Sequence, residues 1–359
     1  MLEHSIFILF VLIDEHGVKK QIFINNYERF NMKFIFYSLF FFMAYFAQAK
    51  ANTYELSLDV GGTSTKFAYR MHGEEQWEEI GSIAGNDHAD LFCEPELVAQ
   101  KLKTYFKNRG IEEIKNIAMS MTGIVDHDSQ VVVNSNFLRK ISKNRYKFPF
   151  SFIPQMTRVF GNDSNFKILN DSIASAIGNA LVGEYGLSSD IVKTPVLVIT
   201  LGTGVAISVI DEESDKYVVF GAESWIPRLE RIGTDKGKSL VHVALSNTQL
   251  KSLDQRRKSL RVGRGIGSIL SKYFKTFVFQ PHTIILGGGN SVGLDTSAIF
   301  EGLAIFKNSN SDKNKNISDS PNIMVPASYK QQSENQLNGA MRYLYDTQSE
   351  QIDVKILRH

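Results

Sequence analysis

Two stretches of this chain repeat one local plan, and that repeat limits what the chain can fold into. Leu56–Lys66, LSLDVGGTSTK, reads as a strand with alternating apolar residues (Tyr54–Val60), a turn at Gly61 and Gly62, and a return strand (Thr65–Arg70). Roughly 140 residues later, Pro195–Leu201 (PVLVITL) runs as a continuous apolar strand into Gly202-Thr203-Gly204, and Val205–Ile210 returns. A glycine turn at a strand end lets backbone approach a ligand with no Cβ in the way. Around the first turn stand Asp59, the hydroxyls of Thr63, Ser64 and Thr65, and the charge of Lys66. That set suits a polyanion: N–H groups cradle phosphate oxygens, and Asp59 holds a magnesium ion directly or through water. The spacing is not that of a Walker loop, and the first unit taken alone is also an ordinary Gly-Gly hairpin. Two such units in one chain imply an α/β architecture with two related lobes facing each other across a ligand cleft.

The chain has 359 residues, enough for two lobes with cores of their own. A net charge of +2 gives no electrostatic case for nucleic acid. Cys93 is the sole cysteine, so an internal disulfide and a cysteine-rich zinc site are excluded. Residues 1–51 read as a leader outside the fold. Met32-Lys33 precedes an apolar run from Phe34 to Phe46, and Ala47-Gln48-Ala49 follows. This matches a secretory signal peptide with its start at Met32. The run falls short of the ~20 residues of a comfortable membrane span, so contact with a membrane is expected only through an uncleaved leader. The expected location is exported, periplasmic or secreted, if that signal is used, and cytoplasmic otherwise.

From residue 52 the chain reads as an N-terminal lobe to 170, a C-terminal lobe over 171–345 that ends in a helix, and a tail over 346–359. Residues 54–85 suggest a β-meander, 94–108 an amphipathic helix, and 114–121 a strand running into Thr122-Gly123-Ile124-Val125-Asp126. Val131–Asn136 reads as a short strand, followed by a Phe- and Lys-rich loop. Phe166–Leu169 reads as a strand ending in Asn170-Asp171, with a helix from Ser172 to Val182. Beyond the second turn come a helix over 260–279 preceded by Arg256, Arg257 and Lys258, a strand at Thr283–Leu286 before Gly287-Gly288-Gly289, a polar low-complexity loop over 307–321, and a closing helix at Gln331–Tyr345.

Asp171 is the candidate base. A carboxylate at a strand end can take the proton of a hydroxyl whose oxygen attacks phosphorus. Asn170 beside it offers a donor and an acceptor suited to adjacent sugar hydroxyls; the competing reading of Asn170-Asp171 is a plain helix N-cap.

With these residues in view, the chain resembles the ROK sugar kinases, a branch of the actin-like ATPase and hexokinase superfamily. DVGGT at Asp59–Thr63 is similar to the first phosphate motif, ILNDSIASAIGNA at Ile168–Ala180 to the segment with the catalytic aspartate, ITLGTGVAISVI at Ile199–Ile210 to the second phosphate motif, and IILGGGNS at Ile284–Ser291 to the adenosine-side motif. Weaker matches are SMTGIVD at Ser120–Asp126 and Asn338-Gly339-Ala340. The resemblance implies a two-lobed actin-like ATPase (ribonuclease H-like) fold, and magnesium-dependent phosphoryl transfer from ATP to a hexose or N-acetylhexosamine hydroxyl. It assigns phosphate and nucleotide to Asp59, Gly61, Gly62, Thr63, Lys66, Gly202, Thr203, Gly204, Gly287, Gly288, Gly289 and Asn338. It assigns the sugar to Thr122, Gly123, Asn136, Asn170 and Glu223, and makes a homodimer plausible.

The departures are specific. Where the family carries Glu-x-Gly-His and a cysteine-rich zinc segment, this chain reads GAESWIPRLERIG, so Glu223 lacks its Gly-His neighbours and zinc is not expected. Ala206 and Ser208 replace glycines after the second turn. Lys66 and Val325-Pro326-Ala327 are similar to the zinc-free polyphosphate glucokinases, which leaves polyphosphate open as donor. A catalytically degraded sugar sensor of the same fold is the remaining alternative.

Overall fold

A computed structural model describes residues 9–13, 19–23, 53–182, 193–202, 204–214, 216–221, 245, 247–276, 281–309, 321–326, 328–349 and 351–356. The chain divides into two units, 1–52 and 53–359. In the first, Leu9–Ile13 (β1) and Lys19–Phe23 (β2) pair antiparallel. The expected signal segment lies outside the described residues. Among the described residues no helix is long and apolar enough to cross a membrane.

The second unit holds two sheets built on one plan. In the first, β3 (Thr53–Val60) pairs antiparallel with β4 (Ser64–Met71), which pairs antiparallel with β5 (Glu79–Ala84). On its other side β3 pairs parallel with β6 (Glu113–Met121), and β6 with β9 (Asn165–Asn170). In the second sheet β10 (Val196–Leu201) takes the place of β3. Strands β11 (Val205–Glu213) and β12 (Lys216–Gly221) follow antiparallel on one side, and β13 (Thr283–Gly287) and β14 (Asn322–Met324) lie parallel on the other. Parallel neighbours need a crossover, and the helix Pro95–Lys107 (α2) lies between β5 and β6 in sequence. Strands β7 (Ile124–Asp126) and β8 (Val131–Asn134) form a separate ribbon.

Alternation along β3 sets its two faces. Leu56, Leu58 and Val60 enter the N-lobe core with Leu102 and Phe106 of α2. Glu55, Ser57 and Asp59 point the other way, to the last helix, Tyr329–Ser349 (α9). There Tyr345 Oη donates to Glu55, Ser57 Oγ donates to the Leu337 carbonyl at 2.7 Å, and Gln336 Nε2 donates to Asp59 Oδ1 at 2.7 Å. The polar face of one central strand is therefore read in register by one helix.

Several expectations about local structure need correcting. A short helix, Gly85–Leu91 (α1), follows the meander directly. The Phe- and Lys-rich segment is not a loop throughout: Asn136–Ile141 (α3) and Ile153–Phe160 (α4) are helical. Asn136 opens α3 and does not end a strand, because Ser135 Oγ caps the helix by accepting from Leu138 N at 3.3 Å. Arg256, Arg257 and Lys258 lie inside the helix Gln255–Thr276, not before it. The segment after 345 completes α9 and then forms β15 (Ile352–Ile356), which pairs parallel with β12. Of the expected polar loop, Lys307–Ser309 end the helix Thr296–Ser309, and residues 310–320 lie outside the described residues.

Candidate active site

Asp59 ends the polar face of β3 and is nearly buried at 7% exposure. Its Oδ1 accepts from Ser120 Oγ at 3.1 Å and from Gln336 Nε2. Lys66, its register partner on β4, brings Nζ to 3.9 Å from Oδ2. Burial still pushes the carboxyl of Asp59 up, against the opposing pull of Lys66 and Ser120. A 3.9 Å ion pair with a half-exposed lysine is too weak to offset removal from water.

At the neighbouring strand end, Asn170 caps the helix Asp171–Ile177 (α5), which continues as a π-helical turn over Gly178–Val182. Asn170 Oδ1 accepts from Ser172 N at 2.8 Å and Ser172 Oγ at 2.5 Å, and Nδ2 donates to the Gly123 carbonyl at 2.7 Å. The amide expected to hold sugar hydroxyls thus also ties the strand end to the Thr122-Gly123 loop. Asp171 follows, part-exposed. Its carboxyl is pushed up to about 6, first by burial and then by the charge of Asp59, with N–H groups at the helix start pulling it back. The two candidate carboxylates, 112 positions apart in sequence, are therefore near enough for their charges to repel.

Beside the first glycine turn lies a cavity of about 540 Å³. Gly62 and Thr63, Thr122 and Gly123, Asn136, and His88 of α1 all line it. Gly123 has φ +142°, and a Cβ there would come 2.5 Å from the Asn134 carbonyl, so the loop needs glycine. Ser135 Oγ donates to the Thr122 carbonyl at 2.8 Å and holds the same loop against α3. His88 shares a hydrogen bond with Thr65 through Nδ1 at 2.9 Å and stacks on Phe137, ring centroids 4.7 Å apart. Burial holds its pKa below the ordinary histidine value.

In the second lobe the two glycine segments meet. Asn290 N donates to the Leu201 carbonyl at 2.9 Å, and Asn290 Nδ2 to the Gly202 carbonyl at 2.9 Å. Gly288 has φ +82°, and a Cβ would stand 2.5 Å from the Leu201 carbonyl. Gly202 N donates to the Gly204 carbonyl at 3.0 Å, and Gly289 is open beside Tyr329. Below, Thr200 Oγ1 donates to Ser175 Oγ at 3.1 Å, and Asn179 Nδ2 reaches the Ser175 carbonyl at 2.7 Å.

Asn338, assigned to the nucleotide by the resemblance, has a structural partner among the described residues. Its Oδ1 accepts from Trp77 Nε1 at 2.9 Å, which joins α9 to the segment before β5. Gly339 serves packing, since a Cβ there would lie 2.1 Å from the Ala174 carbonyl. Gly178 is the reciprocal case, with a Cβ 1.7 Å from the Asn335 carbonyl. Helices α5 and α9 cross backbone to backbone at this pair. Gln336, Ser120 and His88 were not singled out in the sequence; only their proximity to strand ends and motifs hinted at them. Thr203, Glu223 and the Glu-x-Gly-His counterpart lie outside the described residues.

Among the described residues no group of three or more His, Cys, Asp or Glu is placed to hold a metal. Magnesium fits even so. It is commonly held by one or two carboxylates with the rest of its shell from phosphate and water, and the mutual repulsion of Asp59 and Asp171 is what a divalent cation would relieve.

No family model matches the sequence, and no curated protein matches it. Solved structures do match. A ROK family protein from Streptococcus pneumoniae in complex with sucrose gives a TM-score of 0.57 at 16% identity, covering 83% of this chain and 99% of that one. A candidate sugar kinase from Cytophaga hutchinsonii gives 0.55 at 17%, covering 81% and 99%. A glucokinase from an Antarctic psychrotroph gives 0.51 at 12%, covering 82% and 99%. At such identities the likeness is one of fold: mixed α/β with two mixed sheets, the architecture of the ROK and hexokinase actin-like structures.

Proposed function

We propose that the chain is a sugar kinase that transfers a phosphoryl group from ATP to a hydroxyl of a hexose or N-acetylhexosamine. The observation that carries this reading is the Asp59–Asp171 pair, with the Asp171 carboxyl raised to about 6 by burial and by the charge of Asp59 at the end of the first glycine-turn strand. A general base works best when its pKa lies near the working pH. Asp171 takes the proton of the acceptor hydroxyl as that oxygen bonds to the γ-phosphorus. The bond from phosphorus to the bridging oxygen breaks, and ADP leaves with its electron pair. Asp59 would hold magnesium, which supplies charge neutralisation on the phosphates when bound. Gly62, Thr63 and Lys66 face the phosphates from the first lobe, and Gly202, Gly204 and Gly287–Gly289 from the second. Thr122, Gly123 and Asn136 orient the sugar. Lys66 equally supports polyphosphate as donor, with a shortened chain as leaving group.

The test is a screen of ATP and polyphosphate against glucose, N-acetylglucosamine, N-acetylmannosamine and fructose. Turnover with at least one pair is expected. Sugar binding with no turnover for any donor would overturn the kinase reading in favour of a sensor. Export through the Met32 leader, cleavage near Ala51 and assembly as a homodimer belong to the same proposal.

A further inference from the structure

The charge of the cavity beside the first glycine turn is one-sided. Its lining carries Lys140 from the last turn of α3 and the imidazole of His88, and among the described residues that form it there is no carboxylate. Lys140 is exposed and has no salt-bridge partner among the described residues. Its neighbour Arg139 is engaged elsewhere: Nε donates to Asn134 Oδ1 at 2.9 Å, and the guanidinium lies 4.9 Å over the Phe148 ring. His88 is 3% exposed, shares Nδ1 with Thr65 and has the Gly61 backbone beside its ring, and its buried Nε2 meets no well-formed hydrogen-bond partner among the described residues. A buried polar atom with no partner is costly unless a ligand or water satisfies it. Beside these groups, Ala89, Phe137 and Ile141 give the cavity apolar lining. A hydroxyl of a neutral hexose can accept a hydrogen bond from this ammonium, whereas a carboxylate on the sugar would accept that bond and also neutralise its charge.

We propose that the acceptor is an acidic sugar, a pyranose bearing a carboxylate on the ring or on a short ether substituent, and that Lys140 selects it. This rests on the reading of the cavity as the sugar side of a kinase site. The carboxylate lies toward Lys140 and away from Asp59 and Asp171, whose charges would repel it. Any apolar part of the substituent lies against Phe137 and Ile141. Lys140 is a specificity residue here and takes no part in the chemistry.

The experiment compares glucuronic acid and N-acetylmuramic acid with their neutral parents, glucose and N-acetylglucosamine, using the full chain. Binding is read by calorimetry and turnover by ADP release. One acidic sugar is expected to bind at least tenfold tighter than its neutral parent. That ratio should fall at least tenfold in Lys140→Ala, persist in Lys140→Arg, and shrink with added salt. Equal affinity for acid and parent, or a ratio unchanged in Lys140→Ala, would overturn the proposal, as would absence of binding by every sugar tested. Selective binding of the acid without turnover under any donor would uphold this inference while overturning the kinase reading.

Discussion

Gln336 donates from the last helix to Asp59 at the end of β3, 2.7 Å away and 277 positions earlier in the chain. This bond fixes the first glycine turn relative to the helix that also packs on α5, and α5 carries Asp171. The position of one carboxylate is thereby linked to that of the other.

Replacing Gln336 with Ala should loosen Asp59 without removing any charge. A hydrogen bond to a charged group contributes roughly 1.5–3 kcal/mol. The expected loss is about ten- to a hundredfold in kcat/KM for the phosphate donor, measured by steady-state kinetics at several magnesium concentrations. Unchanged donor kinetics would show that the bond does not position Asp59.

Asp171 makes two opposite predictions. As a base it must be ionised, so kcat/KM should fall about tenfold per pH unit below about 6, and Asp171→Asn should lose on the order of a hundred- to ten-thousand-fold in rate. Its folded-state pKa is raised above the unfolded carboxylate value, so the folded state binds the proton more tightly. The resulting stabilisation is fully present below about pH 4 and is lost as pH rises through about 6. Denaturant unfolding should therefore find Asp171→Asn more stable than the parent at pH 7.5, by on the order of 1–3 kcal/mol, with the gain fading toward pH 4. A variant less stable than the parent at pH 7.5 would contradict the assignment.

At Gly178, alanine would gain up to about 1 kcal/mol of helix propensity. It would also place a Cβ 1.7 Å from the Asn335 carbonyl, and backbone cannot yield as a flexible side chain does. Overpacking costs about 1–3 kcal/mol or more, so Gly178→Ala should lower the denaturant midpoint. A neutral or raised midpoint would mean that the two helices do not cross this closely.

The proposed export makes a separate prediction. Mass spectrometry of the protein recovered from its native host should find an N-terminus at Lys50, Asn52 or a neighbour. An intact Met1 would exclude the export proposal.

The elements legible in the sequence were those with strong local signals. The apolar run of Val196–Leu201, the alternation of Thr53–Val60 and the helical spacing of Pro95–Lys107 each show their period within one window. Helices α1 and α3 were missed because they span seven and six residues, too few to display a period. Strand β15 was missed because a chain end offers no flanking turn, and the strand is fixed by pairing with β12. The bond from Trp77 to Asn338 was not legible because a motif preserves spacing along the chain and says nothing of which way a helix faces.

The chain alone determined which residues could do chemistry: two carboxylates at strand ends, two glycine turns, and a hydroxyl-rich loop. These follow from local preferences, which act over a few residues. Only the tertiary structure decided that Asp59 and Asp171 lie close enough to repel, that Asn170 also caps a helix and holds Gly123, and that Lys140 and His88 share a cavity with no acid among its described lining residues. Charge coupling and burial depend on distances through space. Those distances are set by how α9 packs across β3 and α5, which no short stretch of sequence encodes.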